Sequence, residues 1–275
     1  MTEQNTHHPN AALVGKAGEL KDIAPKRAAE LLREGLYGMG SEVSLEQQAA
    51  WRGSWPHIQA LLAKLPDDVW AIFEYRLPMS HQRIDLLLLG QNQKGPQAVV
   101  IELKGWRSVQ DLGHGVVQAD GEPHTHPDIQ AQDYVAKLRF THSEASRYTF
   151  HGVAWLYNLS RNPCGALNFL YSQAFCASET QNLADFLQSI LPGGIDKASA
   201  QAFLDGTYVQ THELLQAIAD NAAKIKQGAI EALCADGFAP SDEQSRVIAA
   251  VINSLKTGEK AVHLVEGGPG SGKTY

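Results

Sequence analysis

The fold predicted for this chain rests on the stretch RIDLLLLGQNQKGPQAVVIELKGW, residues 83–106. It contains two apolar runs separated by the turn-rich hexapeptide QNQKGP, which is the pattern of an antiparallel β-hairpin. If the hairpin is centred on the bond between Gln93 and Lys94, Asp85 lies opposite Glu102 on the neighbouring strand. A slip of one residue would break this pairing, because side chains alternate between the two faces of a strand.

Three charged residues, Asp85, Glu102 and Lys104, interrupt the apolar runs. Glu102 and Lys104 are two residues apart, so a strand places both side chains on the same face. Charges buried in a sheet are costly unless they pair or bind a metal ion. Two carboxylates beside a lysine suit Mg²⁺ or Mn²⁺ at a phosphate substrate, since these ions prefer oxygen ligands. A plain salt bridge between Asp85 and Lys104 at a strand end is the alternative interpretation.

The flanking sequence predicts a mixed α/β domain over residues 44–160. A helix begins at an N-cap, Ser44, and a strand in VWAIFEYRL follows it before the hairpin. A helix in HPDIQAQDYVAKLRF and a strand in FHGVAWLYNL complete the order α-β-β-β-α-β. Residues 1–43 are predicted as an N-terminal helical extension and residues 161–239 as a mostly helical connector. Residues 240–275 begin a further unit with a helix, a strand and a glycine-rich loop.

The motif RID followed by IELK resembles the PD-(D/E)XK nuclease superfamily, with Ile84 where a proline is usual. The order of the elements is similar to the core of that superfamily. HPDIQAQDY contains Gln130 and Tyr134, which resemble the Q-x-x-x-Y element of RecB-like members and share a helix face because they are four residues apart. The resemblance implies an α/β fold class with a restriction-endonuclease-like mixed-sheet core.

The same resemblance implies roles for the charged and polar residues of these motifs. Asp85 and Glu102 would be the metal ligands, and Lys104 would be the catalytic lysine. Gln130 and Tyr134 would contact the substrate or support the site.

Five other residues are candidates for the same centre. In the superfamily a further acid often comes from the first helix or strand; Glu46 and Glu74 both qualify by position, and Glu74 is preferred. His114, His124 and His126 suggest zinc at first sight, but no Cys or acid has the matching spacing. His114 and His124 are expected in a polar loop. His126 opens the helix that carries the Q-x-x-x-Y element and is expected near the metal.

The stretch GGPGSGKT, residues 267–274, is a complete phosphate-binding loop that follows an apolar strand. Its glycines allow backbone N–H groups to turn toward a phosphate. Lys273 is expected to reach the β and γ phosphates of ATP, and Thr274 to hold Mg²⁺. The predicted nucleotide contacts are Gln244, Gly267, Gly270, Ser271, Gly272, Lys273 and Thr274.

The segment SDEQ, residues 241–244, lies one helix before the loop. Gln244 resembles the glutamine motif of superfamily 1 helicases, in which such a residue reads adenine. Together with the nuclease-like motifs, this arrangement resembles the Schlafen group-3-like DNA/RNA helicase family of bacteria. The resemblance implies that the chain is the front portion of a longer protein, cut just inside its motor domain. ATPase and helicase activity are therefore expected only in a longer chain.

The predicted function is a metal-dependent nuclease domain fused to the N-terminal fragment of an ATP-dependent DNA/RNA helicase. The domain would hydrolyse phosphodiesters of nucleic acid, DNA in preference to RNA. The alternative is a catalytically inactive, nuclease-like module that binds nucleic acid and recruits an ATPase motor. A third interpretation is a P-loop ATPase that acts on protein or small molecules, with a regulatory first domain.

Composition excludes few of these classes. The 275 residues include 23 Lys and Arg and 30 Asp and Glu, which gives a formal net charge of −7. This charge argues against a surface that is basic overall, but it does not exclude a local basic groove. The three cysteines are far apart in the sequence, which favours reduced thiols. No run approaches the roughly 18 apolar residues of a membrane helix. We expect a cytoplasmic protein without membrane contact, and the oligomeric state stays open.

Overall fold

A computed structural model describes residues 7–77, 82–113, 115–160 and 164–209, with Thr211 and a few isolated positions between 247 and 263. The predicted nucleotide site at Gln244 and residues 267–274 lies outside the described residues, as does His114. Residues 212–239 of the predicted helical connector lie outside them too.

The centre of the fold is a mixed six-stranded sheet in the order β1-β2-β3-β4-β8-β9. The strands from β1 to β4 pair with one another in antiparallel fashion, whereas β8 runs parallel to β4 and β9 runs parallel to β8. The α/β class predicted from the sequence is therefore confirmed. The strands are β1 Leu13–Lys16, β2 Trp70–Arg76, β3 Arg83–Asn92, β4 Gly95–Leu103, β8 Thr149–Leu156 and β9 Gln173–Cys176.

The predicted register of the β3–β4 hairpin is confirmed. Asn92 pairs with Gly95 at the turn, and the pairing continues without a shift to Leu86 and Ile101. The backbone N–H of Lys94 donates to the Asn92 side chain at 2.8 Å, which closes the turn, and Gly95 has a φ of +111° that suits glycine. The next residues along the two strands are the predicted pair of acids.

Helices cover both faces of this sheet. The first long helix of the predicted domain is capped as expected, because the Ser44 hydroxyl accepts from the N–H of Gln47 at 3.0 Å. Pro56 lies inside that helix, and Pro127 begins the helix that carries the Q-x-x-x-Y element. The helices are α1 Ala17–Leu20, α2 Pro25–Gly38, α3 Leu45–Leu62, α4 Pro127–Thr141, α5 Thr180–Ile190 and α6 Lys197–Leu204.

The continuous apolar runs of β3 and β4 follow from this two-sided cover. Leu86 and Leu88 pack into the core beneath α2, α3 and α5, whereas Leu87 and Leu89 pack into the core beneath α4 and α6. All four side chains are fully buried. Burial of each leucine contributes about 1.5–3 kcal/mol, so these four side chains contribute substantially to the stability of the sheet.

A small second sheet, which the sequence analysis did not predict, lies between β4 and α4. Its antiparallel strands are β5 Val109–Gly113, β6 Val116–Ala119 and β7 Glu122–Thr125. Val117 and Ala119 pack against the end of β8. His124 therefore lies on β7, which corrects its predicted place in a loop. Strands this short and polar lack the alternation that identifies a strand from sequence.

The sheet extends beyond the predicted domain limits of residues 44–160. Residues 1–43, predicted as a helical extension, contribute β1, which pairs with β2 from Leu13 opposite Phe73 to Lys16 opposite Trp70. Residues 173–176, which fall in the predicted mostly helical connector, form β9 at the other edge. β1 has only four residues and gives little periodic signal, and its pairing partner β2 lies more than fifty residues away in the sequence.

Candidate functional site

Three acids form a row across β2, β3 and β4. The pairs Phe73–Leu86 and Tyr75–Ile84 flank the position at which Glu74 stands opposite Asp85. The hairpin register then places Glu102 opposite Asp85 on the other side. The row lies where the apolar part of the hairpin ends, between α3 on one face of the sheet and α4 on the other.

The backbone at this row departs from regular strand geometry. Phe73 belongs to the core beneath α2 and α3, whereas Tyr75 belongs to the core beneath α4, although residues two apart on a strand normally share a face. Leu86 and Ile84 on β3 show the same exchange of faces. Glu74 has a φ of +52°, in the left-handed region that is unfavourable for a side chain other than glycine. Such strain is concentrated at functional sites in proteins.

Lys104 connects the end of β4 to α4. Its Nζ lies 2.7 Å from Glu102 Oε1 and donates to Gln130 Oε1 at 2.9 Å. Gln130 in turn donates from Nε2 to the Tyr134 hydroxyl at 3.1 Å. The structure therefore brings together four residues that the sequence analysis assigned to one centre. Glu102 is only 2 % exposed, and the ammonium lies 5.2 Å from the centre of the Trp106 ring.

The backbone around Lys104 is fixed by β8. Its N–H donates to the carbonyl of Trp155 at 2.9 Å, and its carbonyl accepts from the N–H of Tyr157 at 3.1 Å. The next residue is Gly105, and a Cβ at this position would overlap the Tyr157 hydroxyl unless that side chain moved. This glycine allows the tyrosine to approach the strand end that carries the lysine.

Asp85 is half-buried, and its Oδ2 accepts from the backbone N–H of Leu103 at 2.9 Å. Burial raises the pKa of its carboxyl well above the usual value, and the negative charges of Glu102 and Glu74 raise the pKa further. The charge of Lys104 and the Leu103 hydrogen bond oppose this shift. A cation beside the row would therefore stabilise the ionised form of Asp85.

Glu74 is buried and is held by two donors. Trp51 of α3 donates from Nε1 to Oε1 at 3.0 Å, and Arg83 donates from Nε to Oε2 at 2.9 Å. Of the two acids considered for this role, the structure places Glu74 in the row. Glu46 is exposed in the first turn of α3.

The donor set fits Mg²⁺ or Mn²⁺. Across the part of the chain that is described, no three His, Cys, Asp or Glu side chains are grouped as a metal site of their own. Mg²⁺ does not need such a cage, because it retains waters and is commonly held by one or two carboxylates together with substrate oxygens. Asp85 and Glu102 supply two carboxylates of this kind.

His126 lies apart from the acid row. Its Nδ1 accepts from the N–H of Asp128 at the start of α4, and its ring contacts Phe169 at 5.2 Å between centroids. Burial lowers the pKa of His126, and the acids that act on it are Asp111 and Asp128. Its predicted position near a metal is therefore not supported by its neighbours. Its contacts are those of a helix cap.

A cavity of about 330 Å³ opens beside the acid row. Glu74, Asp85 and Leu103 line it from the sheet, and Trp51 lines it from α3. The sequence analysis did not assign a role to Trp51, Arg83 or Tyr157, which also border the cavity. Arg83 is the first residue of the RID motif and could have been considered from the sequence. Trp51 could not, because a tryptophan within a helix is indistinguishable in sequence from an ordinary core residue.

Comparisons of the chain with protein-family models, with curated proteins and with solved structures give no match. Among the helices that the structure describes, none has the length and apolar character needed to cross a membrane.

Proposed function

We propose that this chain carries a metal-dependent nuclease centre that hydrolyses phosphodiester bonds, in DNA rather than in RNA. The observation that supports this proposal best is the position of Lys104. Its ammonium is bound at once by Glu102 and by Gln130, at the end of a strand beside Asp85. The six-stranded mixed sheet with helices on both faces is compatible with the proposed restriction-endonuclease-like core.

The proposed roles follow from the charges and their partners. Asp85 and Glu102 would hold Mg²⁺ or Mn²⁺, which when bound polarises a phosphoryl oxygen and lowers the pKa of a coordinated water. Lys104 would orient the attacking water and offset negative charge on the phosphate as the bond is cleaved. Gln130 would fix the direction of the lysine, and the Tyr134 hydroxyl would fix the Gln130 amide.

Glu74 would act through its neighbours. It increases the negative potential at Asp85, as the raised pKa of that carboxyl indicates, and it positions both Trp51 and Arg83. We therefore propose Glu74 as a positioning residue rather than as a ligand, since both of its oxygens already accept hydrogen bonds.

The phosphate loop supports a further proposal from sequence alone. Residues 267–274 would bind the phosphates of ATP, with Lys273 at the β and γ phosphates and Thr274 at Mg²⁺. Gln244 would contact the adenine. These roles are those expected of an ATP-dependent helicase of the proposed Schlafen-like type.

The test is cleavage of labelled single- and double-stranded DNA with Mg²⁺ or Mn²⁺ by the 275-residue chain. We expect Lys104→Ala to lose activity by about 100-fold or more, the usual effect of removing a group that stabilises transition-state charge. Lys94→Ala is the matched control, because Lys94 is exposed in the hairpin turn. Equal cleavage by wild type and Lys104→Ala would refute the proposed centre.

The rival function is a nuclease-like module that binds nucleic acid without cutting it. The ion pair between Lys104 and Glu102 favours this rival, since a structural ion pair would have the same geometry. DNA binding by the wild-type chain without metal-dependent cleavage, repeated in a longer chain that includes the motor, would establish the rival.

A further inference from the structure

The cavity beside the acid row is not used by the proposed hydrolysis. It lies between α3 and the end of the β3–β4 hairpin, with Asp85 in its wall. We propose that it binds the base of one unpaired nucleotide, next to the phosphate that is hydrolysed. This inference rests on the proposed function, because it assumes that the phosphate lies at Asp85 and Glu102.

The apolar lining suits the flat face of a base. Trp51 and Tyr157 border the cavity and are 9 % and 7 % exposed, whereas Trp55, which also borders it, is fully buried. The hydrogen bond from the Trp51 indole to Glu74 fixes the plane of that ring. Aromatic side chains bind bases of any sequence, because every base has a π-face.

Two polar side chains complete the site. Arg83 uses its Nε–H for Glu74, and a guanidinium has four further N–H groups with which it can bind a phosphate oxygen. Gln47 borders the cavity from the first turns of α3 and is half-buried. Its side-chain amide offers both a donor and an acceptor, which is the chemistry needed at the edge of a base.

The dimensions favour an unpaired base. A volume of about 330 Å³ is at the lower end of the range for pockets that hold small organic ligands. The cavity is bordered by a helix on one side and by strand ends on the other. A base within a stacked duplex reaches a pocket of this kind only when it leaves the stack.

The test is the affinity of the 275-residue chain for three DNA probes of equal length. The probes are a single strand of thymidines, the same sugar–phosphate strand with abasic sites, and the matching duplex. Fluorescence anisotropy is measured with Ca²⁺, a hard cation that takes oxygen ligands. We expect the thymidine strand to bind about tenfold more tightly than either of the other probes, the effect of stacking one or two bases.

Variants assign the effect to the cavity. Trp51→Leu should reduce the preference for the thymidine strand about tenfold, whereas Trp51→Phe should retain most of it because a ring remains. Gln47→Ala should weaken thymidine binding severalfold, roughly the value of one hydrogen bond. Gln47 is half-buried on the helix surface, so this variant is expected to fold even if Trp51→Leu does not. Gln48→Ala, at the next position of α3, is the matched control and should bind like wild type.

The outcomes separate this proposal from the nuclease proposal. Equal affinity for the thymidine and abasic strands, no binding of single strands, or an unchanged preference in Gln47→Ala would overturn the base site. If cleavage still depends on Lys104 in that case, the nuclease centre stands without it. Base-dependent binding by a chain that never cuts would support the cavity and overturn the nuclease proposal.

Discussion

Replacing Asp85 with asparagine should stabilise the protein while removing its proposed activity. The substitution preserves the shape of the side chain, and the amide oxygen can still accept from the backbone N–H of Leu103. It removes one of three negative charges that lie on adjacent strands with Glu74 and Glu102. Residues at functional sites commonly reduce the stability of the folded protein. Replacing such a residue is therefore expected to increase the free energy of unfolding.

The magnitude follows from the spacing of the strands. Opposed residues of an antiparallel pair have Cα atoms about 5 Å apart, and two unit charges at about that distance repel by about 3 kcal/mol at an effective dielectric constant of about 20. The positive charge of Lys104 offsets part of this repulsion. We expect a net gain of about 1–2 kcal/mol for Asp85→Asn, which corresponds to a rise in Tm of roughly 2–4 °C for a protein of this size.

The gain should depend on pH in a defined direction. The pKa of Asp85 is raised in the folded state, so the folded protein holds this proton more tightly than the unfolded chain does. Protonated Asp85 therefore contributes to the stability of the wild type. This contribution is fully present below the unfolded pKa of about 3.9 and is lost as the pH rises through the folded pKa. The difference between the variant and wild type should be small near pH 4 and larger near pH 7.

The assay is thermal unfolding of both proteins across this pH range, first with a chelator and then with Mg²⁺ or Mn²⁺. The metal should raise the Tm of wild type more than that of Asp85→Asn, because it binds only the folded site. Asp67→Asn is the control, since Asp67 is 73 % exposed and pairs with Lys21 at the surface. A variant less stable than wild type near neutral pH, or equal stabilisation of both by the metal, would refute the reasoning.

Two predictions concern the fold. Gly35→Ala should destabilise the protein by about 1–3 kcal/mol in denaturant unfolding, because the added Cβ would overlap the carbonyl of Ala12; Gly53→Ala, in an exposed helical position with open space, should instead stabilise it by about 0.5–1 kcal/mol. Equal effects would contradict the close packing of α2 on β1. His142 is fully buried and hydrogen-bonded to Tyr75, and burial lowers its pKa to about 4. Stability should therefore fall on the order of 3 kcal/mol as the pH drops from about 6.5 to about 4, since only the unfolded chain gains the proton there; a slope that persists in His142→Gln would disprove this origin.

Much of the candidate site could be predicted from local sequence. The turn-rich hexapeptide, centred on the bond between Gln93 and Lys94, indicates the register of the hairpin. The apolar runs do not specify it, because both faces of these strands are buried. That register places Asp85 opposite Glu102. The four-residue spacing of Gln130 and Tyr134 specifies their common helix face, and their hydrogen bond follows from it.

Other features depended on contacts between segments that are distant in the sequence. The choice of Glu74 over Glu46 depends on Trp51 and Arg83, whose hydrogen bonds hold Glu74 in the acid row. The left-handed backbone at Glu74 has no local signature, because a glutamate rarely adopts it without support from surrounding structure. The cavity likewise exists only where α3 meets the sheet.

The residue types and their spacing thus specified the hairpin, its charged end and the helix that supports the lysine, since these depend on periods of two and four residues. The folded packing alone showed the hydrogen bonds that hold Glu74 in the row, the exchange of faces at Glu74 and Asp85, and the cavity beside them. The physical reason is that the periodicity of the sequence indicates on which face of one helix or strand a side chain lies. A cavity or a strained backbone instead depends on how several helices and strands pack together.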